Sequence, residues 1–319
     1  MLSGLYSGNL FLYDYNTQAL IKQVEVGMLP VRNAKFVARK QWIIAACDDM
    51  SLHVYNYNTL EKIKQIEAHT DYIRSVCIHP SNPWILSCSD DMTVKLWDWD
   101  KSWQNVTTFE GHAHYVMMAQ FNPKDTHIFA TASLDRTIKV WGTQGGNAAH
   151  FSLSGHERGV NCVEYSPSGE KPYLVSGSDD KTVRVWDYQT KQCVQVLQAH
   201  TGNVTCAVFH PSLPVILTGS EDGTCKVWHA STYRLESTLT YLLERLWSLA
   251  CVKGSNHACL GFDEGTIVLK LGSDEPVVSM HGGKVVWARG NDIQTTNLKQ
   301  AEEANEAEKV GRESSAKIK

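Results

Sequence analysis

Long hydrophobic runs are missing from this 319-residue sequence. No apolar stretch approaches the roughly 18 residues that span a bilayer. The opening MLSGLYSGNLFLYDYN has neither a basic leading region nor a continuous apolar one, so it does not read as a secretory signal. An overall basic excess is missing too: 30 Lys and Arg stand against 34 Asp and Glu, for a formal charge of -4. That balance argues against a general nucleic-acid or membrane-surface binder. The nine cysteines never approach within eight positions of one another and include no C-x-x-C pair, which argues against a zinc site or disulfide framework and for reduced core residues. No G-x-x-x-x-G-K-[ST], dinucleotide fingerprint or H-E-x-x-H occurs. The reading is therefore a cytosolic protein that needs no metal or cofactor and carries no catalytic signature.

A repeat is what the sequence does have. His69, His112, His156 and His200 follow one another at intervals of 43, 44 and 44 residues, and Trp97, Trp141, Trp186 and Trp228 at 44, 45 and 42. Between them run SCSDDMTVKLWDW, TASLDRTIKVWGT, SGSDDKTVRVWDY and TGSEDGTCKVWHA. Each is a pair of β-branched runs broken by a Ser/Asp/Gly turn, and each repeat holds about four strands. Weaker copies extend the series, with Tyr55 and then Tyr13 in the tryptophan position upstream, and LGFDEGTIVLKLG downstream. The sum is an all-β, seven-bladed propeller over residues 1–287. Its first blade is incomplete, because Leu2 falls on that blade's second strand. Residues 288–319, charged and poor in apolar side chains, read as a linker or exposed helical tail.

The fixed offsets bring four residues per blade to one turn. These are His69, Ser87, Asp91 and Trp97 in the third blade and His112, Thr131, Asp135 and Trp141 in the fourth. His156, Ser176, Asp180 and Trp186 follow in the fifth, and His200, Thr218, Asp222 and Trp228 in the sixth. A hydrolase triad needs one exposed nucleophile in one cleft, whereas this set recurs four times, so it reads as a structural network.

Binding belongs at the channel rim, where the inner strands begin. One ring of rim positions reads Arg32, Arg74, Met117, Asn161, Thr205 and Trp247. A second reads Asp71, His114 and Arg158. A third, just before the turn aspartate, reads Asp48, Asp90, Leu134, Asp179, Glu221 and Asp263. Cationic and anionic subsites side by side suit a dipolar ligand, with arginine forks for a carboxylate and paired aspartates for an ammonium.

Five stretches go beyond the generic repeat: LPVRNAKFVARKQWII, DDMSLHVYNYNTLEKIKQIEAHTDYIRSVCIHPSNPWIL, DDMTVKLWDWDKSWQNVTTFEGHAHYVM, FNPKDTHIFATASLDRTIKVW and SEDGTCKVWHASTYRLESTL. They resemble the N-terminal WD-repeat propeller of the coatomer beta-prime subunit, part of the COPI vesicle coat. The resemblance runs from about Leu2 to about Trp287. It implies capture of C-terminal dilysine signals (K-K-x-x or K-x-K-x-x) of membrane cargo, for return from Golgi to endoplasmic reticulum. Carried over by motif, Arg32 would meet the terminal carboxylate, and Asp71 and Asp90 the lysine ammonium. Tyr6 would pack alongside, with Arg74 and Tyr115 as further candidates. The resemblance also implies a peripheral place on Golgi membranes and coated vesicles, at their cytosolic face. Other coatomer subunits would be met through a second propeller and a helical solenoid that this chain does not include. The family places further basic carboxylate-binding residues ahead of the position of Met1, which would leave Arg32 largely alone with the carboxylate. Two other readings stay open on the residues alone: a WD-repeat scaffold for a different peptide, and a propeller enzyme with a metal in its channel.

Overall fold

A computed structural model describes residues 1–167, 171–198, 200–272, 278–281, 284–289 and 292–297. Seven successive antiparallel sheets account for Met1–Leu269, one of two compact units; the other is Lys270–Lys319. Blade 1 has three strands, β1 (Leu2–Gly4), β2 (Asn9–Tyr13) and β3 (Leu20–Glu25). Blade 2 has four, β4 (Val31–Val37), β5 (Trp42–Cys47), β6 (Ser51–Asn56) and β7 (Lys62–Glu67). Blade 3 comprises β8 (Ile73–Ile78), β9 (Trp84–Ser89), β10 (Val94–Asp98) and β11 (Gln104–Phe109). Blade 4 comprises β12 (Val116–Phe121), β13 (Ile128–Ser133), β14 (Thr137–Gly142) and β15 (Phe151–Ser154). Blade 5 comprises β16 (Val160–Tyr165), β17 (Tyr173–Ser178), β18 (Thr182–Asp187) and β19 (Gln192–Gln198). Blade 6 comprises β20 (Val204–Phe209), β21 (Val215–Ser220), β22 (Thr224–His229) and β23 (Leu235–Thr240). Blade 7 has β24 (Leu246–Cys251), β25 (His257–Phe262) and β26 (Thr266–Lys270). The expected seven-bladed propeller is what forms, and its first blade has three strands.

In the other unit, β27 (Val278–His281), β28 (Lys284–Arg289) and β29 (Asp292–Asn297) form a three-stranded meander of their own. Strand structure thus continues past residue 287. The remainder of the expected tail, 298–319, lies outside the described residues.

In blades 2–7 the first strand is the innermost, and β4 lies beside β8, β8 beside β12, and so on through β16, β20 and β24; β1, the counterpart of the second strand of the other blades, lies beside β4. Their residues alternate between facing neighbours and facing the channel, as a period-2 strand requires. Six apolar clusters each straddle two adjacent blades, from Leu10–Val31–Ile43 between blades 1 and 2 to Cys206–Leu246–Leu260 between blades 6 and 7. The core is therefore a set of inter-blade seams, and each blade needs its neighbour to bury both faces. Blades 7, 1 and 2 instead line an open cavity of about 1190 Å³, with Tyr6, Phe11, Arg32, Trp247 and Phe262 among its walls. No helix among the described residues is long and apolar enough to cross a membrane.

Candidate functional site: the rim and its supporting network

The four-residue networks form as the offsets predict. In blade 5 the Trp186 indole N–H donates to Ser176 Oγ at 2.8 Å, Ser176 Oγ meets His156 Nε2 at 2.8 Å, and His156 Nδ1 meets Asp180 Oδ2 at 2.8 Å. Because the carboxylate can only accept, the proton of the neutral imidazole sits on Nδ1, and Nε2 accepts from the hydroxyl. Blades 3, 4 and 6 repeat this chain through Ser87, Thr131 and Thr218. Each aspartate also receives backbone N–H groups. Asp180 takes those of Glu157 at 3.0 Å and Thr182 at 2.9 Å, which pins the preceding loop to the turn.

Burial alone would raise the carboxyls of Asp91, Asp135, Asp180 and Asp222. The hydrogen bonds from the partner histidine, threonine and backbone outweigh it and hold all four well below the usual carboxylate range. Burial also lowers His79, His200 and His210, the network contacts of His200 opposing it in part. The signs agree. A depressed folded-state value means that the unfolded chain binds protons first, so stability is present at higher pH and is lost on acidification. The histidine contribution starts to fall below about pH 6.5 and the carboxylate contribution below about pH 4. The melting temperature is expected to be flat between about pH 7 and 8 and to drop with increasing steepness toward pH 3; calorimetry across that range checks it, and a melting temperature unchanged at pH 4 would contradict it.

A local irregularity positions the rim residues. At the start of each inner strand the ladder to the second strand slips by one: between Val31 and Asn33, Ile73 and Ser75, Val116 and Met118, Val160 and Cys162, Val204 and Cys206, and Leu246 and Ser248. The residue skipped is in turn Arg32, Arg74, Met117, Asn161, Thr205 and Trp247, the whole first ring. A bulged residue is released from the in-out alternation and can be aimed elsewhere. At Arg32, Arg74, Asn161 and Trp247 it turns toward the third ring.

That turn pairs the two rings. Arg32 grips Asp48 through Nε at 2.8 Å and Nη2 at 2.7 Å, and Arg74 grips Asp90 in the same fork at 2.7 and 2.5 Å. Trp247 donates its indole N–H to Asp263 at 2.6 Å. These partners stand sixteen residues apart in all three blades. Asn161 reaches Asp179 at 2.7 Å, and Asn203 reaches Glu221 at 3.1 Å. Arg245, absent from the expected set, joins Asp263 at 3.0 Å.

Aromatic rings sit against the guanidiniums of Arg32, Arg74 and Arg245 at the rim. Arg32 Cζ lies 4.7 Å from the Tyr6 ring centre and its Nη2 donates to the Tyr6 hydroxyl at 3.1 Å. Arg74 lies 6.0 Å from the Tyr115 ring and Arg245 5.2 Å from that of Trp247. Hydrogen bonds donated to Asp48 and Asp90 raise Arg32 and Arg74 above the usual arginine range against the opposing effect of burial, and Arg32 opposes the charge on Arg74. The two units stand on the neighbouring inner strands β4 and β8.

Of the expected residues, the structure brings Arg32 to Tyr6, and Arg74 to Asp90 and Tyr115. Asp90 is buried at 3% exposure, with Arg74 across both oxygens. Asp71 is half-buried. Its backbone carbonyl accepts from Ser89 beside Asp90, while its carboxylate accepts only the neighbouring Tyr72 N–H among the described contacts. Sequence reasoning placed Asp48 in a ring without seeing it as the partner of Arg32. The repeated spacing of sixteen was the available signal.

The WD domain, G-beta repeat model matches residues 60–98, 103–142, 149–187 and 191–229. Each match starts on the outer strand of one blade and ends on the third strand of the next, an overlap that ties neighbouring blades together. Coatomer subunit beta' of Rattus norvegicus is 56% identical over 300 residues, and that of Homo sapiens 57% over 300; each alignment takes in 94% of this chain and 33% of the relative. Coatomer subunit beta'-1 of Arabidopsis thaliana is 56% identical over 313 residues, 97% of this chain and 34% of that protein. The chain thus spans about a third of the length of these relatives. It is a seven-bladed β-propeller of the WD-repeat type, similar along nearly all its length to coatomer subunit beta'.

Proposed function

We propose that this propeller is a non-enzymatic cargo-recognition module of a COPI-type coat, acting at the cytosolic face of Golgi membranes and coated vesicles. Its ligands are the C-terminal dilysine tails of membrane proteins. The observation that carries the reading is the pair of adjoining rim units, Arg32–Asp48–Tyr6 and Arg74–Asp90–Tyr115. The three rings carry six carboxylates (Asp48, Asp71, Asp90, Asp179, Glu221, Asp263) against three arginines (Arg32, Arg74, Arg158), an acid surplus that suits a dicationic segment.

A carboxylate offers about four lone-pair directions. Asp90 uses one per oxygen on Arg74 and keeps capacity for a lysine ammonium, with Asp71 as its neighbour. Arg32 keeps N–H groups beyond those given to Asp48 and Tyr6, and these would meet the terminal carboxylate. Tyr6, 73% exposed, supplies an apolar wall for the last residues. The similarity to coatomer subunit beta' supports the coat assignment, and with it contacts to other coat subunits.

A calorimetric titration with a free-acid K-x-K-x-x peptide and its C-terminal amide tests the reading. The free acid is expected to bind and the amide to bind about tenfold or more weakly, the value of one charge-assisted contact. Equal affinities, or no binding of the free acid, would favour a scaffold for a different ligand.

A further inference from the structure

The third strands of blades 3–6 carry a cation at one shared register: Lys95, Lys139, Arg184 and Lys226. Opposite it on the outer strand stand, in turn, Thr108, Ser152, Val196 and Thr238. The three lysines are engaged within their own blades. Lys95 donates to the Ala68 carbonyl at 2.7 Å, Lys139 to Ser152 Oγ at 2.9 Å and Lys226 to Thr238 Oγ1 at 3.3 Å. Blade 5 changes both members of the pair. The donor becomes a guanidinium with five N–H groups, and the hydroxyl opposite becomes the apolar Val196.

Arg184 is held in place without being answered. Its Cζ lies 5.9 Å from the Trp186 ring centre, and its Nη1 sits so close to the backbone that a β-carbon at Gly155 would stand 2.7 Å away. Its Nε is buried without a hydrogen-bond partner, and no hydrogen bond or ion pair reaches the guanidinium among the described residues. Buried polar side-chain atoms are for the most part paired, so an orphan donor on a charged group calls for an explanation. Arg184 borders an open cavity of about 520 Å³, lined also by Glu157, Lys181, Val196 and Gln198. Lys181 is exposed at the turn between β17 and β18, where the other blades of this group have Met92, Arg136 and Gly223. Blade 4 also has two cations in these positions, but its Lys139 is engaged by Ser152. Blade 5 joins a cation at the turn to an unengaged one on the third strand.

We propose that this cavity binds a phosphate group, with Arg184 as the fork and Lys181 as the second cation. A guanidinium matches two oxygens of one phosphate, and the two positive charges balance a dianion. The volume is that of a small-ligand cleft, and Val196 offers an apolar wall to whatever carries the phosphate. Of the two nearby carboxylates, Asp180 is already engaged by His156, the Glu157 amide and both the amide and hydroxyl of Thr182. Glu157 is exposed and forms no ion pair with Arg184, so its charge opposes an anion in the cavity.

The test titrates the full chain with inorganic phosphate and with phosphoserine blocked at both ends, followed by calorimetry at fixed ionic strength; blocked serine is the control. Saturable binding at one site is expected for a phosphate probe and none for blocked serine. Tighter binding of blocked phosphoserine would identify a phosphorylated side chain as the ligand, and tighter binding of inorganic phosphate a free phosphate. Arg184→Gln should weaken binding at least tenfold, and Arg184→Lys, which keeps the charge and loses the fork, about tenfold. Val196→Thr, which returns the hydroxyl of the other blades, should weaken it severalfold. Glu157→Gln should strengthen it severalfold, a gain that misfolding cannot imitate. Lys95→Gln, at the same register in blade 3, should leave it unchanged. Melting temperatures establish that each variant is folded. Absence of saturable binding, undiminished binding by folded Arg184→Gln, or an equal loss in Lys95→Gln would each overturn the assignment.

Discussion

Replacing Asp180 with alanine is expected to destabilise the propeller by about 3–5 kcal/mol, the cost of breaking a buried charged network from one side. Four hydrogen bonds end on this carboxylate: from His156 at 2.8 Å, the Glu157 amide at 3.0 Å, the Thr182 amide at 2.9 Å and the Thr182 hydroxyl at 2.6 Å. Alanine removes the acceptor and leaves buried donors behind, and an unmade buried bond costs more than a made one gains. The damage reaches the blade seam, because His156 orients Ser176, Ser176 receives the Trp186 indole, and Trp186 packs between blades 4 and 5. At about 2–4 °C per kcal/mol for a domain of this size, the melting temperature should fall by roughly 10 °C. Asp91→Ala, in blade 3, should cost a similar amount, and the pair should add within about 0.5 kcal/mol because the two networks share no partner. Denaturant unfolding of the two single variants and the double variant measures this. A loss under about 0.5 kcal/mol for Asp180→Ala, the range of an ordinary surface substitution, would contradict the structural role.

This network was legible from sequence because it depends on offsets alone: His69 to Asp91 and Asp91 to Trp97 recur with little variation, so four noisy copies reinforce one another. Strand count and blade order followed from the same period. The rim was legible only as rings. That ring one is skipped by the ladder at Val31/Asn33 and its equivalents depends on a backbone irregularity, which leaves no residue signature because Arg, Met, Asn, Thr and Trp all occupy it. Without the bulge, Arg32 and Asp48 are two charges sixteen positions apart. With it they are a forked pair. Blade 2 was hidden for the opposite reason: its turn aspartate, Asp49, is met at 2.7 Å by His53, which does the work of a loop histidine from a strand position, so a search by offset passes over it.

Asp90→Arg is expected to abolish binding of a free-acid dilysine peptide, a loss of at least a hundredfold. In the unmutated chain Asp90 neutralises Arg74 through both oxygens. The substitution removes the anion proposed to meet the lysine ammonium, places a second guanidinium beside Arg74, and adds to the repulsion Arg74 already feels from Arg32. Each step disfavours a cation, and like-charge juxtaposition at an interface costs several kcal/mol. Because Asp90 is buried, the fold must be checked separately, by the melting temperature and by the tryptophan fluorescence of the blade seams. Asp90→Asn offers the gentler control, as it keeps the shape and one acceptor and should lower affinity about tenfold. The ordering of the three proteins carries the argument: unmutated above Asp90→Asn above Asp90→Arg at equal foldedness places the ammonium at this carboxylate. Undiminished binding by folded Asp90→Arg would move the lysine contact elsewhere on the ring, to Asp179 or Glu221, whose present partners are the neutral side chains of Asn161 and Asn203.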